Sequence, residues 1–593
     1  MKTTPLFAVL FLSFFSFSAQ SQTSQDAVNQ QDWITRNQQN ILDEKKRNNE
    51  FDAIKKEREL KKEEETQKQQ LNISSKTAAC FPIKEIKLTG ANSISAHQQK
   101  KLTKPFIGKC LEAKVLSDAL AVINAYYQTE GFVTTQVLVP KQNLQSEIFE
   151  LKIIEGKIEK ISLGQDRIIE KMQKFMGFGN LEGEVLNIND INQGMYQINR
   201  LQSNSAVMKI EPGSVDGESK IIIDNNKKFP ARTTIGKDNL GNNFTGVQRT
   251  NFSSSFDNML FLNDNINLNY STNTHDDSQI KEIKSFTGGI SIPFKFNTFS
   301  YDYSHSSFKG RNAGISVPLV LSGFSDQKKF TFDHVFLNQT NLRISANTSL
   351  TAKHSGSYLN NTKIDISQRR LSILNMGLAI SYYLNDNTNI YLKPSYSKGL
   401  EILNAKKDQA NIPATAPKAQ FELFKLYASI SKKTAIQKIN LPITFTTEMD
   451  SQFAKETLFG SEQFAVGGYY SVRGFRENYL SGDSGYYFRN KANFNIGSLI
   501  SPFLKSEKEN FFSKNLLYLN RFALEPFYDY GYIRNKYDGS SGRLSGAGAK
   551  TIFSSNNFNA SLTYSWGINK SKLITSNVKE NHLVYFEISA NCC

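Results

Sequence analysis

From residue 231 to the C-terminus the chain alternates. In NINLNY (265–270), Ile266, Leu268 and Tyr270 alternate with Asn265, Asn267 and Asn269. In NTFSYDYSHSS (297–307), Phe299, Tyr301 and Tyr303 alternate with Ser300, Asp302 and Ser304. LRISANTSL (342–350) and NRFALEPFYDYGY (520–532) follow the same rule less strictly. A period of two predicts strands with one apolar and one polar face. A soluble sandwich would turn the apolar face inward, but the stretch is too long for one sandwich and no break divides it. A closed barrel with its apolar face toward lipid fits the length: at about 10 residues per strand plus turns it holds roughly sixteen strands. Closure is compulsory in lipid, because an open edge would leave backbone groups unpaired.

Upstream the pattern changes twice. FPIKEIKLTG (81–90) alternates like a strand and a short helix follows near 95–105. LSDALAVINAYYQTEG then sets Leu116, Leu120, Ile123 and Tyr127 on one helical face, and Gly131 stops it. FVTTQVLVP (132–140) and EIFELKIIEG (147–156) read as two more strands. The order strand, helix, helix, strand, strand recurs directly afterwards, with Ile191, Met195 and Ile198 on a helix and SAVMKIEPG and SKIIIDN as closing strands. Two small α+β domains therefore precede the barrel. Before them, residues 41–70 carry nine acidic and nine basic residues without glycine or proline. Trp33, Ile34, Ile41, Leu42, Phe51 and Ile54 are the zone's main apolar residues, too few for a coiled-coil seam. A helix inside a water-filled channel tolerates this composition; a disordered linker is an equal reading for 55–70.

The first residues explain how such a chain meets a membrane. Lys2, the apolar run Leu6–Phe17 and the small residues Ser18, Ala19 and Ser21 have the form of a removable signal peptide. Cys80 and Cys110 lie thirty residues apart, and after export they can pair, a closure worth roughly 3–4 kcal/mol. Cys592 and Cys593 are adjacent, where a bond would be strained. The net charge of +16 is scattered rather than gathered into a stripe with aromatics, which argues against nucleic-acid binding. The six histidines have no metal-ligand spacing, no G-x-x-x-x-G-K-[ST] loop is present, and no Ser-His-acid arrangement stands out. No cofactor, metal or catalytic group is implied.

Residues 467–490 read GGYYSVRGFRENYLSGDSGYYFRN, with Val472-Arg473-Gly474-Phe475 near the start. With CFPIKEIKLTG, GFVTTQVLVPKQNL, LKIIEGKIEKI, INQGMYQINRLQSNSAVMKIEPG and DNLGNNFTG, this stretch resembles the outer-membrane transporters of two-partner secretion, the family of haemolysin activator, filamentous haemagglutinin and contact-dependent inhibition exporters. The resemblance implies a signal peptide at 1–21, an N-terminal lumen-plugging helix and linker at 22–77, polypeptide-transport-associated (POTRA) domains at 78–155 and 156–228, and a 16-stranded antiparallel transmembrane β-barrel at 229–593. It further implies that the loop at 467–490 folds into the lumen, and that Arg473 pairs with an aspartate of a Phe-x-Asp motif. Here that motif is Phe527-Tyr528-Asp529; by alternation Phe527 and Asp529 share one face. One departure stands out. Such barrels usually end on an aromatic residue, whereas Phe586 lies seven residues before the terminus. Either the last strand runs into Asn591-Cys592-Cys593 or another assembly signal serves.

The implied partner is a large secreted exoprotein with an N-terminal secretion domain, captured by the POTRA domains in the periplasm and passed through the barrel without ATP. Outer-membrane lipid and the barrel assembly machinery are the other implied partners. A barrel assembly or insertion factor is the competing reading, since it shares the barrel and the Arg-Gly-aromatic loop but normally brings more POTRA domains.

Overall fold

In the computed structural model, residues 29–52, 56, 83–110, 112–142, 147–165, 167–273, 281–312, 319–339, 341–477, 480–500, 521–555, 557–574 and 582–592 are described. The expected signal peptide, Cys80, Cys593 and the charged run from 57 to 70 lie outside them.

A helix, α1 (29–52), comes first. The first small domain follows as β1 (Glu85–Thr89), α2 (Ala96–Thr103), α3 (Ala113–Thr129), β2 (Gln136–Leu138) and β3 (Ile148–Ile154). β3 lies between β1, to which it is parallel, and β2, to which it is antiparallel. The helical periodicity of α3 explains its packing: Ile123 and Tyr127 are fully buried against Ile86, Phe149 and Leu151. Gly131 ends the helix at φ 95°, a conformation that costs glycine little. The strand expected over 132–140 is shorter than its pattern. Phe132 folds back, its N–H donating to Tyr127 O (2.8 Å) and its ring lying 5.9 Å from the Tyr127 ring. A turn then uses Thr135 N–H, so pairing begins only at Gln136.

The second domain repeats the plan: β4 (Lys157–Leu163), α4 (Ile168–Phe178), α5 (Ile188–Asn199), β5 (Ala206–Pro212) and β6 (Glu218–Asn225), in the sheet order β4-β6-β5. Its core holds Ile158, Ile161, Leu186, Ile191, Met195, Ile198 and Ile221.

Sixteen strands then close an antiparallel barrel. The first, Ala231–Asp238, pairs with the last, His582–Cys592, with Thr233 opposite Cys592. The final strand thus runs past Phe586 as far as Cys592. Alternation is realised as lipid-facing and lumen-facing rows: Phe299, Tyr301, Phe330, Leu268 and Tyr528 are exposed on the outside, while Ser304, Ser306, Thr331 and Asp529 are buried within.

The second domain docks beneath the barrel mouth. Gln193 and Gln197 of α5 donate to the carbonyl of Lys295 (3.0 and 2.7 Å), in the tight turn between Glu282–Phe294 and Asn297–Asn312. Arg343 lies over the Tyr196 ring at 3.8 Å, and Arg200 donates to Ser291 Oγ (2.9 Å). Asp257, fully buried, accepts from Ser203 N–H (2.9 Å) and from Arg232. These bonds fix which end of the barrel faces the two small domains.

Candidate functional site: a locked loop and a lumen helix

The segment between strands Leu441–Ala454 and Ser484–Phe494 leaves the barrel at the end far from the small domains, yet it folds back into the lumen; the loop expected over 467–490 is shorter, because residues 485–490 pair on both sides as barrel strand. A short hairpin, Phe464–Val466 with Leu480–Gly482, forms its stem. At its tip Arg473 meets Asp529. Arg473 Nε donates to Asp529 Oδ2 (2.7 Å), Nη2 to Oδ1 (2.8 Å) and the backbone N–H to Oδ2 (3.0 Å). The guanidinium also lies 3.5 Å from the centre of the Phe527 ring. Exposure is 2% for the Arg473 side chain and 0% for Asp529. A carboxylate takes a bidentate fork well because the two planes match. Phe527 supplies the π-face, and the strand's period of two puts it beside Asp529.

The neighbours of Arg473 hold the turn. Val472 is fully buried with Val466, Ile533 and Leu544, and Phe475 joins the same cluster. Gly474 has φ 106°, and a Cβ there would sit 2.6 Å from Trp566 backbone atoms. The carbonyl of Phe475 accepts from Gly468 N–H (2.9 Å) and from the Tyr585 hydroxyl (3.1 Å).

The wall receiving this tip was not singled out from the sequence. On strands Phe522–Arg534, Ser541–Ser554 and Phe558–Asn569, four glycines face the loop or its anchor. A Cβ on Gly546 would lie 1.7 Å from Arg473 O, and one on Gly531 2.8 Å from the Val472 side chain. One on Gly567 would meet the Phe475 ring at 2.8 Å, and one on Gly548 the Phe527 ring at 2.6 Å. Glycine inside a strand marks close approach by another backbone, and that was the signal available.

The second lumen element is α1. Its contacts circle the wall, so it lies inside the barrel. Toward the far end, Gln31 donates to Phe324 O (2.6 Å), Asp32 pairs with Arg369, and Arg36 donates to Gly460 O. Midway, Gln38 reaches Ser285 (3.2 Å), Lys45 reaches Asn269 (3.2 Å) and Glu44 faces Arg489 (3.7 Å). Arg47 sits over the Tyr427 ring (4.4 Å) and 3.8 Å from Asp450. Lower down, Glu50 faces Lys393 (3.4 Å) and Phe51 packs edge-on against Tyr391 (4.8 Å). Lys56 donates to Leu201 O (3.3 Å) and Asn204 O (2.5 Å) of the second small domain. Beside α1, a cavity of about 570 Å³ is lined by Trp33, Ile41, Leu42, Arg249, Tyr470 and Glu587 among others. Cys110 is disulfide-bonded; its expected partner Cys80 is outside the described residues.

Two open-edged helix-backed sheets, a closed sixteen-stranded barrel and a lumen filled by a helix and a pinned loop define an outer-membrane transporter with periplasmic POTRA domains. Comparison with known proteins narrows the class. Residues 217–552 match the family described as haemolysin secretion/activation protein ShlB/FhaC/HecB, residues 81–156 its ShlB-type POTRA domain and residues 157–212 a further POTRA domain. The chain belongs to the ShlB/FhaC/HecB family. It is 29% identical to the outer membrane transporter CdiB of Dickeya dadantii (strain 3937) over 71% of this chain and 73% of that one. It is 27% identical to the hemolysin transporter protein ShlB of Serratia marcescens, over 71% and 74% of the two chains. The structure of CdiB from Escherichia coli superposes with a TM-score of 0.80, at 24% identity, over 95% of this chain and 98% of that one.

Proposed function

We propose that this transporter moves a large partner exoprotein, of the haemolysin, adhesin or contact-dependent inhibition class, from the periplasm to the cell surface. One observation carries the reading: α1 touches the pore wall along its length, and Lys56, four residues past its end, bonds to the second POTRA domain. An element bonded to both the capture domain and the pore can report docking to the gate. An unfolded client adds as a strand to an open POTRA edge, using main-chain hydrogen bonds that demand little sequence. Docking near 201–204 releases the Lys56 end, and α1 yields the lumen. The loop tip, held by Val472, Arg473, Gly474 and Phe475 against Phe527 and Asp529, stays as a fixed feature of the wall. Folding of the client outside the cell biases its direction, with no nucleotide needed. A Cys80–Cys110 bond would tie the start of the first POTRA domain to its helical layer.

Deleting the gene tests this against an assembly role. Loss of one large exoprotein, with the other outer-membrane barrels intact, is expected; general loss of barrels would assign the chain to insertion instead. Removal of residues 24–50 should raise single-channel conductance in planar bilayers, and unchanged conductance would reject the plug.

A further inference from the structure

Helix α4 of the second POTRA domain carries an apolar stripe on its outer face. Ile168, Met172 and Phe175, spaced by four and three, are 85%, 42% and 48% exposed. Such a row on a water-facing helix calls for a covering partner. Its position says which. α5 lies inboard, its glutamines and Arg200 bonded to the turn at Lys295 and to lumen-facing Ser291. α4 lies outboard. Phe175 packs 5.6 Å from the Phe294 ring, and Lys295 N–H donates to Met176 O (2.8 Å). On strand Glu282–Phe294, Ser285 points inward to Gln38 of α1 while Phe286 is exposed outside. Phe294 shares the parity of Phe286 and so belongs to the lipid-facing row. The stripe of α4 is therefore continuous with the barrel's lipid belt.

A second feature points the same way. The turn joining strands Arg249–Asp257 and Asn265–Asn273 is bonded to α4, Asn263 Nδ2 donating to Gln173 O (2.9 Å). It presents Met259, Leu260 and Phe261 to the outside, each about half exposed. The turn is built to do so. The fully buried Asp264 accepts from Met259 N–H (3.1 Å) and Leu260 N–H (2.9 Å), and Phe261 is held at φ 65°. The charge of the face is also suited. Lys171 is exposed beside the stripe; Arg167, also exposed, pairs through one nitrogen with the buried Glu170 (2.6 Å), the helix's one carboxylate, and Lys174 is paired with Glu182.

We propose that α4 and the 259–261 turn form an interfacial foot that sits in the periplasmic leaflet of the outer membrane. Apolar side chains enter the acyl boundary and the basic residues meet phospholipid phosphates, as in amphipathic helices that lie in a membrane plane. The foot would hold the second POTRA domain at a fixed tilt under the pore, leaving the first free to swing toward a client.

Spin-label accessibility tests it. In a Cys592→Ser, Cys593→Ser background, full-length protein carrying Met172→Cys with a nitroxide is placed in nanodiscs of phosphatidylethanolamine and phosphatidylglycerol. Val215→Cys, on the turn between β5 and β6, serves as the control, and Leu260→Cys as an independent reporter. At 172 and 260, collisions with oxygen should exceed those with a water-soluble nickel chelate severalfold, with the reverse at 215. Aqueous behaviour at 172 and 260 would overturn the proposal. So would a label that stays aqueous in the nanodisc and becomes shielded only when reduced, unfolded α-lactalbumin is added, since that would make the stripe a client site.

Discussion

The two elements that fill the lumen are held in opposite ways. The loop tip is pinned by one short, fully buried bidentate pair, with a ring beneath it and a glycine wall around it. Helix α1 is held by many separate contacts: one close, buried pair of Asp32 with Arg369 near its start, and further along ion pairs stretched to 3.4–3.8 Å. Trp33 Nε1, Thr35 Oγ1 and Arg36 Nε are buried on α1 without a hydrogen-bond partner among the described residues, and a cavity runs beside it. A single dry bidentate pair stores its energy in one place and breaks all at once. A row of long, partly wet pairs is weak per contact and can be exchanged for water step by step. This difference is what the proposed function requires, with the loop staying and the helix leaving.

The largest expected effect comes from breaking the pin. Asp529→Ala leaves the Arg473 guanidinium buried without its partner, at a cost of about 3–5 kcal/mol to loop seating. Protease cleavage near 467–477 in isolated membranes should rise sharply, and the paired variant Arg473→Leu with Asp529→Leu should be cut less than either single charge deletion. Next comes Gly546→Val. Its side chain would overlap Arg473 O, costing about 1–3 kcal/mol or more, with the barrel still heat-modifiable on gels.

Changes to α1 should be milder and appear in gating. Asp32→Asn weakens the pairing to Arg369, and a loss of about 1.4 kcal/mol raises the open fraction about tenfold in planar bilayers. Higher KCl should act in the same direction on the wild type, through screening of the long pairs, while leaving the loop protected.

The smallest effect lies outside the barrel. Glu170, capping α4, is drawn down to about 2 from its ordinary 4.5, chiefly by the Arg167 side chain and also by the N–H groups of Arg167 and Gln165. A depressed carboxyl stabilises the fold above its unfolded value and loses that stabilisation as pH falls from about 4.5 toward 2. Amide exchange in α4 should accelerate over that window, and Glu170→Gln should flatten the pH dependence.

Much of this contrast was legible in the sequence, for physical reasons. A period of two survives in a barrel because each strand has one lipid face and one wet face, so Phe299, Tyr301 and Leu268 announce their side. The helix faces of Ile123 with Tyr127 and of Ile191 with Ile198 read equally well. The pairing of Arg473 with Asp529 was reached through the Val-Arg-Gly-aromatic resemblance; alternation alone put Asp529 and Phe527 on one face and could not choose a partner fifty-six residues away. Gly531, Gly546, Gly548 and Gly567 read as weak points in strands, because the approaching backbone that requires them comes from a distant loop. The wall partners of α1 were out of reach for the same reason. Arg369, Arg489, Lys393 and Asp450 look like any lumen charge until the helix is placed beside them. The strand at Gln136–Leu138 was overread because Phe132 spends its alternation on capping α3 rather than on a ladder.

The central claim is that the helix moves and the loop does not. Two cross-linked proteins separate them in one export assay: cysteines at Gln38 and Ser285 joined by a short reducible thiol linker, and a disulfide between Val472→Cys and Gly531→Cys. The account predicts that the first stops release of the exoprotein and holds conductance low until reductant is added, while the second exports normally. Undiminished export by the helix-linked protein would contradict it.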